Sequence, residues 1–231
     1  MAHSIAHIQL EPHSRIVFVG DSVTDAGRDY TAMPGGWGFG TGYVNHIHNL
    51  LSAVYPDHAY MTINSGFSGD DIDAMADRWD TDVLALQPDY VSIMIGINDV
   101  WRHFDGEFRQ APTHDVAYFS QVYDTLIEKT RQQLPELKGI YVLSPVMFER
   151  SFDDPMRALL ADFQEACQQV AQRQHCVFID MQAAINRCLE SQHSCLFSAD
   201  RVHPNERGAM ILAHAWLTSV GFDWKREDYD N

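Results

Sequence analysis

The chain is predicted to fold as an α/β protein, a three-layer, doubly wound sandwich built on a five-stranded parallel sheet. Three observations predict it. Five short runs rich in Val, Ile and Tyr recur along the 231 residues: "RIVFVG" (15–20), "AYMTIN" (59–64), "YVSIMIG" (90–96), "GIYVLS" (139–144) and "CVFID" (176–180). Several are apolar almost throughout, as strands buried on both faces of a parallel sheet are. Longer stretches with helical spacing separate them, and regular strand–helix alternation is the pattern of a parallel sheet covered by helices on both faces.

The elements follow in order. The first run ends in Gly20-Asp21-Ser22, and the second leads into "NSGFSGD" (64–70). In "GDDIDAMADRWDTDVLAL" (69–86), Ile72, Met75, Trp79 and Val83 recur at three- and four-residue steps with acids opposite, which predicts an amphipathic helix. Residues 115–133 and 155–173 show similar spacing, and "NERGAMILAHAWLTSVGF" (205–222) closes the pattern as a last amphipathic helix. No internal repeat, low-complexity linker or composition break interrupts residues 1–231, so a single domain is expected. In such a sheet, ligands bind at the carboxyl ends of the strands near the point where strand order reverses. Gly20-Asp21-Ser22 lies at one of those ends.

Composition narrows the function. With 32 acids against 16 bases the formal charge is −16, a surface that repels nucleic acid and anionic lipid and favours a neutral or cationic substrate. No apolar run approaches the ~20 residues of a membrane span. The opening "MAHSIAHIQLEPH" has neither a basic n-region nor a long apolar h-region, so a cytoplasmic location is expected. Cys167, Cys176, Cys188 and Cys195 contain no CxxC pair and read as reduced thiols. The pairs His3/His7 and His46/His48 have no Cys or carboxylate partner at ligand spacing, so they read as surface histidines and no metal is expected. "MPGGWGFGTGYV" (33–44) fails the G-x-G-x-x-G spacing and is expected to rim a pocket, with Trp37 exposed.

Four short motifs carry the chemistry. In "GDSVTD", Gly20 and Asp21 suit a strand-to-helix turn, and Ser22 stands where a hydroxyl nucleophile would await a base. In "NSGFSGD", the backbone N–H of Gly66 can face a site with no Cβ in the way, as one arm of an oxyanion hole. The spacing around Ser68 is G-x-S-G rather than G-x-S-x-G, which argues against Ser68 as a nucleophile. In "GINDV" (96–100), the Asn98 amide can donate to a developing oxyanion. In "ADRVHPN" (199–205), Asp200 and His203 are three apart, so one turn of chain can hold the carboxylate against the imidazole and leave His203 to act as base. Each motif also fits a plain turn or helix cap; their order, each at a strand end or helix start, is what points to a catalytic set.

On these residues the chain resembles the SGNH hydrolases, the GDSL esterases and lipases, with Ser22, Gly66, Asn98 and His203 in the four blocks and Asp200 completing a triad. A narrower resemblance, to the bacterial acetylxylan esterases of this superfamily, rests on "GDSVTDAGR", "GTGYVNHI", "RWDTDVLALQPDYVSIMIGINDVWR", "DPMR" and "DRVHP". Members of that group often carry an aromatic residue where this chain has Ala199. The resemblance implies a flavodoxin-like SGNH fold and a cofactor-free serine esterase that removes acetyl groups from xylo-oligosaccharides. It implies Ser22, Gly66 and Asn98 as the oxyanion hole, with Asp21 and Trp101 expected to contact the sugar substrate. A homo-oligomer is expected, with Trp216, Phe222, Trp224 and Tyr229 as its exposed-looking aromatics. The competing readings are a short-chain esterase, thioesterase or lysophospholipase of the same superfamily, and a catalytically silent carbohydrate-binding relative.

Overall fold

Five parallel strands form one sheet: β1 (Arg15–Gly20), β2 (Met61–Gly66), β3 (Tyr90–Met94), β4 (Gly139–Leu143) and β5 (Val177–Ile179), in the order β2-β1-β3-β4-β5. The computed structural model describes residues 8–106 and 113–226; His3, His7 and Tyr229 lie outside them. The order makes β1 and β3 the switch point, where successive connections leave toward opposite edges and open a crevice at the strand ends. Gly20 pairs with both Gly66 and Met94, so three strands reach the carboxyl edge at one level.

The second strand runs two residues later than its apolar run suggests. Asn64 and Ser65 have low strand propensity, yet they pair with Phe18 and Val19, because the register set by the buried residues before them carries the ladder onward.

Helices cover both faces. Short α1 (Ser22–Asp25) follows β1, and α2 (Tyr43–Val54) follows the glycine-rich loop. After β2 come α3 (Ile72–Asp77) and α4 (Trp79–Asp82), and after β3 come α5 (Ile97–Trp101) and α6 (Val116–Gln133). The chain closes with α7 (Pro155–Arg173), α8 (Met181–Leu189) and α9 (Glu206–Ser219). One core layer gathers Phe18, Tyr43, Ile47, Tyr141, Ile185, Leu212 and Trp216 between the sheet and α2, α8 and α9. The other gathers Val19, Trp79, Val91, Ile93, Phe119, Tyr123 and Phe163 under α3, α4, α6 and α7. Asp115, Asp154 and Asn205 cap α6, α7 and α9 with side-chain oxygens on the first free N–H groups.

Three expectations are corrected. The helix predicted over 69–86 breaks at Arg78, whose φ of −102° and ψ of 6° separate α3 from α4. Ile72, Met75, Trp79 and Val83 still face inward, but Arg78 leaves the helical row to bind the strand ends with its guanidinium. Trp216 and Phe222 are core residues: the Trp216 indole donates to Ser92 Oγ at 3.1 Å and its ring packs on Phe18 and Tyr141, so of the C-terminal aromatics described only Trp224 is exposed. His46 and His48 are half-buried; His48 Nδ1 lies 2.7 Å from Thr62 Oγ1 and its ring stacks on Phe39.

The glycine-rich loop does rim a pocket, with Trp37 62% exposed. That cavity, about 240 Å³, lies against the free edge of β2 and is lined by Arg28, Tyr30, Trp37, Asn64 and Asp82 among others, but not by Ser22 or His203. No helix among the described residues is long and apolar enough to cross a membrane.

Candidate active site

The site is assembled at the carboxyl edge from four connections. β1 stops at Gly20, where a Cβ would meet the Met94 carbonyl oxygen of β3 at 2.1 Å, so only glycine permits this approach of the two strands. Asp21 then caps α1, its Oδ1 accepting the Val23 N–H at 2.9 Å, and Ser22 becomes the first helical residue. The Ser22 hydroxyl oxygen lies 2.8 Å from His203 Nε2.

His203 is oriented from its other side. Its Nδ1 lies 2.6 Å from Asp200 Oδ2, while Asp200 Oδ1 accepts the backbone N–H groups of Val202 and His203 at 2.9 and 2.8 Å and the Ser198 hydroxyl at 3.1 Å. Partial burial opposes ionisation of Asp200, but the imidazole and the two N–H groups outweigh it and hold the carboxyl well below the usual carboxylate range. The carboxylate is thus ionised and acceptor-only. It accepts a hydrogen bond from Nδ1–H, which holds the proton on Nδ1 and leaves Nε2 free to accept one from Ser22. The loop carrying this pair is clamped by Arg201, whose φ of 70° turns it and whose guanidinium reaches Asp154 at 2.6 Å and Glu149 at 3.3 Å. The Phe148 N–H donates to the Arg201 carbonyl at 2.7 Å. The "DPMR" segment, noticed in the sequence only as part of a resemblance, therefore anchors the histidine loop.

The N–H expected to serve as an oxyanion donor after β2 has a partner of its own. The Gly66 N–H donates to Asn64 Oδ1 at 2.9 Å, and Gly66 lies so close to α1 that a Cβ would stand 2.2 Å from the Asp25 nitrogen. Its glycine is required by close packing, and its N–H is already spent. Gly69, three residues on, has a φ of +93° and open space around the Cβ position. Among the described residues neither its N–H nor that of Ser22 has an acceptor. Asn98 is buried and donates one amide hydrogen to the Asp70 carbonyl at 2.8 Å, which sets its amide beside the Gly69–Asp70 segment and leaves a second hydrogen available. The sequence signal for Gly69 was present in "FSGD"; what hid it was the earlier glycine, nearer the predicted strand end.

Asp21 is 1% exposed, so its side chain lies beneath the turn that carries Ser22, out of reach of a substrate on the open face that it was expected to contact. Burial pushes its carboxyl up to about 7; the Val23 N–H opposes the shift, and the charges of Asp99 and Asp70 add to it. Trp101 is half-buried, packs against the core, and places its ring 6.0 Å from that of His203 at a tilt of 48°. It serves as packing and stands at the site at once. Behind Asn98, buried Asp99 lies 2.9 Å from His114 Nδ1 and accepts the Ile72 N–H at 3.2 Å, tying α5 to α3.

A hydroxyl, imidazole and carboxylate in series, with the unpartnered Ser22 N–H at the hydroxyl and a doubly wound sheet beneath, define a serine-type ester hydrolase of the SGNH fold. The model of the GDSL-like lipase/acylhydrolase family matches residues 18–211, and the chain belongs to that family. An acetylxylan esterase of Geobacillus stearothermophilus is 39% identical over 213 residues, 92% of this chain and 96% of that protein. The crystal structure of Axe2, an acetylxylan esterase from Geobacillus stearothermophilus, superposes with a TM-score of 0.89 at 37% identity, covering 95% of this chain and all of that one. LAE5, an α/β hydrolase from the metagenome of Lake Arreo, gives 0.89 at 35% identity over 94% and 99% of the two chains.

Axe2 structures include catalytic mutants in which a serine, an aspartate or a histidine is replaced by alanine; the last two lie three positions apart, as Asp200 and His203 do. A further Axe2 variant replaces a tryptophan that directly precedes that aspartate, whereas Ala199 precedes Asp200 here.

Proposed function

We propose that this chain is a single-domain serine esterase that removes acetyl groups from xylo-oligosaccharides or related acetylated sugars. The observation that carries the chemistry is the relay from Ser22 Oγ to His203 Nε2 at 2.8 Å and from His203 Nδ1 to Asp200 at 2.6 Å. The substrate class rests on the 39% identity to an acetylxylan esterase over 92% of the chain, and the charge of −16 suits a neutral carbohydrate ester.

In this reading Ser22 Oγ attacks the acetyl carbonyl carbon while His203 Nε2 takes its proton. The carbonyl oxygen becomes an oxyanion, stabilised by the N–H groups of Ser22 and Gly69 and the free amide hydrogen of Asn98. Collapse of the tetrahedral intermediate breaks the bond to the sugar oxygen, which leaves with the proton from His203. Water, activated by the same imidazole, adds to the acetyl-enzyme and releases acetate. Asp200 holds the imidazole in orientation and stabilises its charged form throughout. Asp21 supports the turn from below. Trp101 borders His203 and offers an aromatic face to the sugar.

The cytoplasmic location belongs to this reading too, supported by four free thiols at Cys167, Cys176, Cys188 and Cys195, which suit a reducing compartment. So does a homo-oligomer, with exposed Trp224 on its surface; light scattering in solution tests it.

The deciding experiment compares acetate release from acetylated xylo-oligosaccharides by the parent and by Ser22→Ala. The parent is expected to release acetate and the variant none. A parent that cleaves an activated acetyl ester through Ser22 but leaves the sugar esters intact keeps the hydrolase and removes the substrate. A profile that persists on long acyl chains favours a lipase-like or thioesterase activity instead.

A further inference from the structure

The second aspartate of "GDSVTD" takes no part in the relay, yet it is buried and carries four donors. Asp25 Oδ1 accepts the Arg28 N–H at 3.0 Å; Oδ2 accepts the Tyr30 hydroxyl at 2.6 Å, the Ser68 N–H at 3.1 Å and the Ser68 hydroxyl. Asp25 closes the four-residue helix that Ser22 opens, and Ser68 immediately precedes Gly69. One carboxylate therefore joins the segment that supplies the nucleophile to the segment that supplies the second oxyanion N–H.

Besides Asp25, the Asp70 N–H closes a turn over Ser68–Gly69 by donating to the Phe67 carbonyl at 3.3 Å. Pairing of β2 with β1 ends at Gly66. Beyond it, Phe67 N–H reaches the Gly20 carbonyl at 2.9 Å, and Asp70 is gripped by Arg78 at 2.6 Å and by Asn98 on its carbonyl at 2.8 Å. These contacts flank the Ser68–Gly69 peptide without touching it. On the other side of the junction, Arg28 Nε donates to the Gly66 carbonyl at 2.6 Å, and its guanidinium lies 4.3 Å over the Tyr30 ring.

We propose that Asp25 is a positioning residue for the oxyanion site, setting the Gly69 N–H relative to Ser22 through Ser68. This rests on the roles proposed above for Ser22, Gly69 and Asn98. The physical case is geometric. An ionised carboxylate accepts only, and its hydrogen bonds are shorter and stronger than neutral ones, so it can hold four donors that an amide cannot. Oxyanion stabilisation depends on donors standing 2.7–3.1 Å from the developing charge, and a donor displaced by a few tenths of an ångström loses much of its effect.

The test is Asp25→Asn, assayed with an activated acetyl ester so that the identity of the sugar plays no part. Whichever carboxylate position it takes, the amide nitrogen would face a backbone N–H, of Arg28 or of Ser68, that can only donate, and the Ser68–Gly69 peptide would shift. The expected result is a kcat about 10- to 100-fold lower with KM within about twofold. Affinity for a short alkyl boronic acid, which forms a tetrahedral adduct on Ser22, is expected to fall by the same factor. A merely structural role would lower the melting temperature without linking kcat to boronate affinity. If kcat and boronate affinity both stay within about twofold of the parent, or kcat falls while boronate affinity holds, the proposal is overturned. Should Asp25→Asn fail to fold, the double variant Ser68→Ala/Tyr30→Phe removes two of the four donors and keeps the carboxylate. A parallel fall in kcat and boronate affinity, about 3- to 10-fold, then supports the proposal, and no change in either overturns it. Ser22→Ala is run alongside: activity there removes the nucleophile, a failure of the underlying reading that is visible separately.

Discussion

Ser22 and His203 are separated by 181 positions in the chain, and Ser22 Oγ stands 2.8 Å from His203 Nε2. The contact exists because β1 and the loop before α9 both end on the carboxyl edge of the sheet, and because Arg201 pins that loop to Asp154 and Glu149. The relay is therefore a product of one strand end, one loop and one clamp.

Ser22→Ala is expected to abolish turnover of acetyl esters, by about 10⁶-fold in kcat if Ser22 acts as in other serine hydrolases. Asp200→Asn should cost about 10⁴-fold, since it leaves the geometry but presents the wrong partner to His203 Nδ1. Initial rates on an activated acetyl ester measure both. Loss of less than about tenfold in Ser22→Ala would move the nucleophile elsewhere.

Gly66, the last residue of β2, and Gly69, three residues on, are expected to separate packing from catalysis. Gly66→Ala drives a Cβ to 2.2 Å from the Asp25 nitrogen and should lower stability by about 3 kcal/mol or more. Gly69→Ala meets no neighbour but must hold a φ of +93°, a strain of roughly 1–2 kcal/mol. The expected pattern is a large fall in melting temperature for Gly66→Ala, and for Gly69→Ala a folded protein whose kcat drops about 10- to 100-fold. The reverse pattern would restore Gly66 as the oxyanion donor.

Asp21 makes stability depend on pH. Its carboxyl is pushed from 3.8 to about 7 in the folded chain, so the unfolded chain releases this proton first. The folded state is favoured in full below about pH 4. That advantage declines as pH rises toward about 7, at no more than about 1.4 kcal/mol per pH unit. Asp21→Asn keeps the cap on α1 without the proton. Urea unfolding from pH 4 to pH 8 should show the variant gaining on the parent across that window; a difference that is constant with pH would rule out Asp21 as the titrating group.

Arg78 ties the strand ends together. Its guanidinium donates to the carbonyls of Gly20 and Ser65 at 3.1 and 2.8 Å and pairs with buried Asp70 and with Asp82. Arg78→Met leaves Asp70 charged and unpartnered and should cost about 3–5 kcal/mol in unfolding free energy. Adding Asp70→Asn should recover part of it, and a double-mutant cycle in urea measures the coupling. Strictly additive effects would show that the pair does not act as a unit.

Much of this is legible in the amino-acid order itself. Runs such as "RIVFVG" and "YVSIMIG" read as buried parallel strands because they are apolar without alternation, and "NERGAMILAHAWLTSVGF" read as the last helix because its apolar residues recur at helical spacing. The failures share a cause. Arg78 breaks a periodic helix, Trp216 and Phe222 go inside, and the Gly66 N–H goes to Asn64. In each case the deciding partner is a group that the linear pattern does not show: a strand-end carbonyl, a facing helix, or a side chain bent back on its own strand.

By itself, then, the amino-acid order determined the α/β class, the strand count and the residue types of the relay, because hydrophobic period and local turn chemistry act over a few neighbours. Only the tertiary structure decided which N–H groups remain free beside Ser22 and which acidic groups lie buried beneath it. A hydrogen bond or a burial is settled by whichever partner reaches the group across the fold: Asp25 and Arg78 reach theirs only once three strands end at one edge, and Asn64 turns its Oδ1 onto Gly66 with its amide nitrogen held by the carbonyls of Thr24, Asp25 and Phe39.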